Sequence, residues 1–450
     1  MTVSILATIV LLGVLIFVHE LGHFWAAKSV GIGVERFSIG LGPRVWGYTR
    51  GETEYVISAI PLGGYVKMQG MEDEVMEHLE GEAGATGRRS RVSDFDAQPL
   101  LARAFVISAG VVMNMFFAFL LYTFVAAAWG VHELTTTRVM EVDETSLPAG
   151  TEALADIAPG AEISRVGDVV PDSWGDIHRA LTESPAGPLR VATESPAAVF
   201  AIVLPDDGEE RRSLAAALQY WIDPVVDNLE PGGPAAGASM EPGDRITSVA
   251  GVPVESWAEM TREIGARPGE TVEIGLLRED AALIRVVELD DVAADETGGR
   301  KGRLGIFPAV PDTRTISVGF FEAVSLGMAQ TVEITRRILG FLKDLFTMDV
   351  SPRSVGSLGT IAVATGEAAA EGIPAYLAFM ALFSINLAIL NMLPIPVLDG
   401  GHMVFLAVEL VRGRKLTVKQ RVRWSQFGFV VVILIMVWAL GNDLLRFLGL

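Results

Sequence analysis

Four long runs of apolar residues set the hydrophobic pattern of the chain. They cover residues 3–27, 104–129, 373–393 and 427–445. Each run is long enough to cross about 30 Å of hydrocarbon as a helix. The pattern therefore predicts a polytopic α-helical membrane protein with four transmembrane helices.

A fifth segment, residues 316–348, is partly apolar but is interrupted by charges. Those charges are Glu322, Glu333, Arg336, Arg337, Lys343 and Asp344. A segment of this kind indicates an amphipathic helix lying on the membrane surface rather than a fifth span.

Lysine and arginine concentrate in two loops, one between the first two apolar runs and one between the last two. By the positive-inside rule both loops lie on the cytoplasmic side of the membrane. This orientation places the N-terminus, the large middle region and the C-terminus outside the cytoplasm.

The large middle region contains an internal repeat. Residues 159–167 match residues 242–250, and the same offset continues through Ser173-Trp174 and Ser256-Trp257. A self-match of this kind indicates two copies of one small domain built from short strands and Gly/Pro turns. We place the copies at 134–217 and 218–295.

The second copy resembles a PDZ domain. Gly233-Pro234-Ala235-Ala236 starts a helix, and Pro242-Gly243-Asp244 forms the turn before a strand. PDZ domains accept a peptide or chain end along a sheet edge. Whether this pair binds a peptide or serves as a spacer or cap stays open.

The composition argues against nucleic-acid partners and excludes metal sites built from cysteine. The 55 acidic residues outnumber the 35 basic ones, and the net charge of -20 argues against a nucleic-acid partner. The chain has no cysteine, so a thiolate metal site is impossible. Any zinc ion must be held by His, Asp or Glu.

A zinc-protease signature, His19-Glu20-Leu21-Gly22-His23, closes the first apolar run. On a helix, His19 and His23 project from one face and can share a metal, while Glu20 is placed to act as a base. Ionisable groups at this depth are costly unless they serve a function. The other interpretations are a set of mutually paired polar groups and a cleaved signal peptide, although no basic residue precedes the apolar run.

Two histidines leave a tetrahedral zinc ion one protein ligand short. Residues 391–402, at the end of the third run, contain two prolines and two glycines that cannot continue a regular helix. Asp399 is a suitable third ligand there, and His402 is its rival. Asn391 either caps the helix or holds a substrate carbonyl.

Together these motifs resemble the site-2 protease family of intramembrane zinc metalloproteases, of the bacterial RseP type. The stretches at 55–68 and 357–364 are also similar to that family, and the resemblance covers nearly the whole chain. It implies that His19, His23 and Asp399 bind Zn²⁺, with Glu20 as the catalytic base. It also implies the bacterial cytoplasmic (inner) membrane as the location.

The resemblance further implies a membrane-dipping β-hairpin at about residues 54–68. Its edge, including Gly63 and Gly64, would pair with an unwound substrate; a purely stabilising hairpin is the alternative.

Asn114 is a further candidate for substrate binding. It closes the stretch Ala109-Gly110-Val111-Val112-Met113-Asn114, in which Val111 stands where the family usually has proline. The polar insert at 71–98 receives no role.

The function expected from the resemblance is cleavage of transmembrane segments in single-span proteins, such as remnants of anti-sigma factors and signal peptides. Another protease would first remove the bulky outer domain, and the PDZ pair would act as an exclusion filter. A non-catalytic PDZ scaffold or chaperone is the main alternative, and a zinc-dependent transporter is a weaker one.

Overall fold

The computed structural model of the chain describes residues 2–70, 93–230, 232–293, 299–347, 358–396 and 398–417, with isolated positions between 420 and 441. Most of the predicted fourth span, and residues 71–92 of the polar insert, lie outside this part. The chain forms two compact units, one of Met1–Gly130 with Ser317–Leu450 and one of Val131–Ile316. The second unit is therefore an insertion into the first.

Within the described residues, three helices are long and apolar enough to cross a membrane. They are Val3–Ser29, Leu100–Trp129 and Ile373–Met392. They coincide with the first three apolar runs of the sequence. The protein is thus a membrane protein with at least these candidate spans.

The N-terminal part of the first unit pairs two helices with one sheet. Its elements are α1 (Thr2–Ser29), β1 (Val34–Arg50), β2 (Thr53–Met68) and α2 (Leu100–Trp129). The strand β1 pairs with β2 on both of its sides, since Phe37 lies opposite both Tyr55 and Val66. Among the described strands, the 64–68 stretch of β2 is therefore outermost on one side of the sheet and residues 44–50 are outermost on the other.

The first repeat of the inserted unit has its own core. Its elements are β4 (Val139–Val142), β5 (Ile163–Val166), α3 (Trp174–Glu183), β6 (Gly187–Glu194), β7 (Ala197–Leu204), α4 (Gly208–Ala217) and β8 (Leu218–Tyr220), preceded in the chain by β3 (Val131–Leu134). The strands β5, β6 and β7 form an antiparallel sheet. Leu154, Ile177 and Leu181 are fully buried beneath it. Since burial of each such side chain contributes about 1.5–3 kcal/mol, this core stabilises the repeat independently of the membrane.

The second repeat has a separate core and a matching helix start. Its elements are β9 (Val226–Leu229), α5 (Pro234–Gly237), β10 (Arg245–Val249), β11 (Val252–Pro253), α6 (Trp257–Gly265), β12 (Thr271–Arg278) and β13 (Ala281–Glu288). The hydroxyl of Ser256 accepts from the Glu259 backbone N–H at 3.2 Å, as Ser173 accepts from Asp176 at 3.1 Å in the first repeat. Equivalent serine caps begin both helices, as the offset in sequence predicts.

The predicted boundary at residue 295 is wrong, because the second repeat continues beyond it. The strand β14 (Asp290–Ala293) pairs with β15 (Arg300–Arg303), and β16 (Ile306–Pro308) pairs with β9. Leu304 is buried in the core of this repeat. The charged sequence of β15 has no alternating apolar pattern, so the strand has little signal in the sequence.

The turn at Asp244 contains a buried ion pair. Asp244 is fully buried and accepts from Arg278 at 2.7 and 2.8 Å and from the Glu241 backbone N–H at 2.9 Å. Burial alone would raise the pKa of Asp244, but these hydrogen bonds hold that pKa below its usual range. The aspartate of the Pro-Gly-Asp turn thus serves the fold of the second repeat.

The inserted unit begins and ends on one pair of strands. The strand β3 pairs antiparallel with β17 (Thr313–Ile316), and Val131 lies opposite Ile316. We call this pair the neck. Because residues opposite each other in such a ladder have Cα atoms about 4.5–5.5 Å apart, the two ends of the insertion are neighbours.

The chain then returns to the first unit, where the fully described helices are α7 (Phe320–Thr347), α8 (Leu358–Glu371), α9 (Ile373–Met392) and α10 (Asp399–Arg412). α7 packs on α2, where Gly327 lies against Thr123. Its position on the membrane surface stays a prediction. The break between α9 and α10 falls in the segment that the prolines and glycines indicate.

Candidate metal centre

Three side chains from two distant parts of the chain meet in the first unit. His19 and His23 lie on α1, and Asp399 is the first residue of α10. His19 Nε2 is 3.2 Å from His23 Nε2 and 3.1 Å from Asp399 Oδ2, and His23 Nε2 is 3.4 Å from the same oxygen. Both histidines are less than a tenth exposed.

These distances fit one metal ion. A tetrahedral zinc with bonds of about 2.0–2.1 Å has its ligand atoms about 3.3 Å apart. Among the described residues, the buried Asp399 Oδ2 accepts no hydrogen bond, although it lies within ion-pair distance of both rings. The three atoms are therefore arranged as ligands around a common point, and their chemistry suits Zn²⁺.

Two glycines allow Asp399 to approach this point. A Cβ on Gly400 would collide with the backbone carbonyls of Met392 and Leu393, and one on Gly401 would collide with Ile395. The start of α10 is thus folded tightly against the broken end of α9. Only residues without a side chain fit there.

The helix α2 lies directly against the rings of His19 and His23. A Cβ on Gly110 would collide with His23 Nε2 and would lie 2.8 Å from His19 Nε2. The backbone carbonyl of Val106 lies 2.8 Å from His23 Nδ1 and accepts its N–H. Neither contact was predicted from the sequence. The small residues Gly22 and Gly110 were the available signal for the close approach of α2 to α1.

We expect Gly110→Ala to weaken zinc binding and to slow cleavage by about ten- to a hundredfold, because the added methyl group displaces a ligand ring. Gly13→Ala is the matched control, since a Cβ there meets no atom within 4 Å. Zinc affinity by chelator competition and cleavage by the full-length protein are the measurements. Equal values for the two variants would contradict the close approach of α2.

Glu20 lies beside this cluster and beside the sheet edge. It interacts electrostatically with His19, His23 and Asp399. A Cβ on Gly64 of β2 would lie 3.3 Å from Glu20 Cγ. The 64–68 edge stretch therefore passes next to the predicted base.

The other predicted residues take different positions. Asn391 Nδ2 lies 3.4 Å from His19 Nε2, and Asn114 Nδ2 lies 3.4 Å from His19 Nδ1. Gly63 packs against Leu41 of β1. His402 is absent from the metal group among the described residues, and its ring packs edge-on against Phe405.

An ion pair missed by the sequence analysis connects α2 to α10. Arg103 donates to Glu409 at 2.9 and 2.5 Å, and the Arg103 side chain is only 5% exposed. A bidentate pair of this kind fixes relative orientation as well as distance. It helps to hold the helix that carries Asp399, whereas in the sequence Arg103 was only one of many basic loop residues.

Comparisons with known proteins agree over the whole chain. The profile of peptidase family M50 matches residues 7–435. The regulator of sigma-E protease RseP of Escherichia coli (strain K12) is 33% identical over 469 residues, covering 97% of this chain and 97% of that protein. Protease RseP of Yersinia pestis is 33% identical over 461 residues, covering 98% of each. Among solved structures, the PDZ domain of an SdrC-like protein from Listeria monocytogenes is 27% identical, with a TM-score of 0.17, and covers 19% of this chain and 85% of that one.

Proposed function

Because the chain belongs to peptidase family M50, we propose that His19, His23 and Asp399 hold its zinc ion and that Glu20 is the catalytic base. The protein is an intramembrane zinc metalloprotease of the site-2 type in the bacterial inner membrane. The observation that carries the residue assignment is the meeting of three ligand atoms at tetrahedral spacing beside Glu20.

The proposed chemistry needs one proton acceptor at the metal. Bound zinc acts as a Lewis acid and makes water acidic enough to ionise near neutral pH. A carboxylate oxygen of Glu20 takes the proton from water and delivers it to the nitrogen of the scissile amide.

The substrate must unwind before it can react, because a helix hides its carbonyls in its own hydrogen bonds. The 64–68 edge of β2, with Gly63 and Gly64 at its start, offers a strand for the unwound segment to pair with. Asn391 lies near enough to the metal ligands to donate its amide N–H to a substrate carbonyl. Sheet hydrogen bonds then replace the helix hydrogen bonds where water is scarce.

The proposed topology has four spans, with the N-terminus, the PDZ pair and the C-terminus outside the cytoplasm. It is supported by the basic loops of the sequence. The sheet of β1 and β2 dips into the membrane with its exposed residues Val45, Trp46 and Tyr48. Such aromatic side chains favour the membrane interface.

Single-span membrane proteins are the proposed substrates, including remnants of anti-sigma factors and of signal peptides. The name of the Escherichia coli relative, regulator of sigma-E protease, supports the first of these. The inserted PDZ pair would block substrates whose outer domain is still attached.

Excision of residues 131–316 tests this function. We expect the intact protein to cleave a single-span substrate only after its outer domain is removed. The excised protein, rejoined by a short glycine linker, should cleave trimmed and untrimmed forms at similar rates. Because the ends of the insertion are neighbours at the neck, the linker does not strain the first unit. Cleavage of both forms in native membranes is the measurement.

The excised protein that also carries Glu20→Gln is the control and should cleave neither form. If the untrimmed substrate resists the excised protein as it resists the intact one, the filter is wrong. Loss of cleavage of the trimmed form would also contradict it, because the insertion would then deliver substrates rather than exclude them.

A further inference from the structure

Asn114 on α2 is a buried polar side chain with an incomplete set of hydrogen bonds. It is 0% exposed, and its Oδ1 has no partner among the described residues. Its Nδ2 lies 3.4 Å from His19 Nδ1. A buried amide oxygen without a donor is destabilising, so this arrangement calls for a compensating contact.

The ring of His19 determines what that contact is. His19 Nε2 faces Asp399 Oδ2 at 3.1 Å and is therefore the ligand nitrogen. A neutral imidazole that binds metal through Nε2 carries its proton on Nδ1 and needs an acceptor for it. A half-turn of the Asn114 amide exchanges its oxygen and nitrogen and brings the oxygen to His19 Nδ1.

His23 already shows the equivalent contact. Its Nδ1 donates to the backbone carbonyl of Val106, which also lies on α2. The same helix thus offers one acceptor to each ring, a backbone oxygen for His23 and a side-chain oxygen for His19. The Ser384 hydroxyl of α9 donates to the backbone carbonyl of Asn114 at 2.7 Å. This hydrogen bond fixes the backbone of α2 at Asn114.

We propose that Asn114 is a positioning residue whose amide oxygen accepts from His19 Nδ1–H and holds Nε2 toward the metal. This inference rests on the proposed zinc ligands and assigns Asn114 to them rather than to the substrate. A side chain with no exposed surface, enclosed between α1, α2 and α9, offers nothing to a substrate carbonyl. Its role is to select the tautomer and the orientation of one ligand.

Three variants of the full-length protein, purified in detergent, test this role through zinc affinity measured by chelator competition without substrate. Asn114→Leu keeps the shape but removes the acceptor, and its zinc dissociation constant should rise by about ten- to a hundredfold. Asn114→Asp keeps an acceptor and should stay within about threefold of the unmodified protein. Thr123→Val is the matched control on α2, because the Thr123 hydroxyl is also buried without a partner, and it should change nothing.

The outcomes separate this inference from the proposed function. If Asn114→Leu retains zinc but has a raised KM, Asn114 is a substrate contact and the inference is wrong. If Asn114→Asp raises the zinc dissociation constant by about tenfold or more, the acceptor role is wrong, and this outcome can be read even where the leucine variant fails to fold. If the unmodified protein and Asp399→Ala bind zinc equally, the ligand set itself fails.

Discussion

Replacing Glu20 by glutamine is expected to slow peptide cleavage by about a hundred- to ten-thousandfold while zinc stays bound. Glutamine has the size of glutamate but cannot take a proton from water. Glu20 is not among the three residues whose ligand atoms converge, so its replacement leaves the metal site intact. Cleavage of a trimmed single-span substrate and zinc content of the same preparation are the measurements.

Glu367→Gln is a matched control, because Glu367 is exposed on α8, and its neighbour Gly366 packs against Ser4 at the opposite end of α1. It should cleave at the normal rate. Full activity of Glu20→Gln would contradict the role of the base and would favour a non-catalytic scaffold. Loss of zinc from Glu20→Gln would instead show that Glu20 supports the ligands.

Asp399→Ala is expected to raise the zinc dissociation constant by more than about a hundredfold and to abolish cleavage. Loss of a group that hydrogen-bonds to a metal ligand already lowers metal affinity by about ten- to a hundredfold, and loss of the ligand itself lowers it further. The two remaining imidazoles also lose the only negative charge of the described metal group. Zinc affinity by chelator competition and cleavage by the full-length protein are the measurements.

His402→Ala decides between the two ligands that the sequence leaves open. His402 lies on the same helix but packs against Phe405, so its removal should leave zinc affinity unchanged. If His402→Ala loses zinc and Asp399→Ala retains it, the ligand set is wrong and the break before α10 must be arranged differently around the metal.

The sequence indicated the residues of the metal group more readily than the contacts that α2 makes with them. His19 and His23 are paired by helical spacing, and the broken helix at a similar depth offered Asp399 and its rival His402, of which the structure brings Asp399 to the histidines. Gly110 and Val106 could not be found in the same way. The contribution of Gly110 is the absence of a side chain, and that of Val106 is a backbone carbonyl, which any residue carries. Such contacts depend on tertiary packing rather than on residue type.

The elements with the most regular hydrophobic pattern were the ones predicted from the sequence. The apolar runs of α1, α2 and α9 exceed the length of ordinary helices and were found without difficulty. The strand β1 was missed: the sequence predicted a β-hairpin within 54–68 alone, whereas the stretches 54–57 and 64–68 both pair with β1. It contains Gly40 and Gly42, whose φ angles are 92° and 83°, and these bends interrupt the alternation that marks a strand.

The neck also bears on how the protein came to contain two PDZ copies. A segment that leaves and rejoins a fold at neighbouring points can be gained, lost or duplicated in the gene without rerouting the flanking helices. A second copy lengthens the insertion while both of its ends stay on the same ladder. Tandem duplication between β3 and β17 therefore lengthens the inserted unit without rerouting the helices that carry HELGH and Asp399.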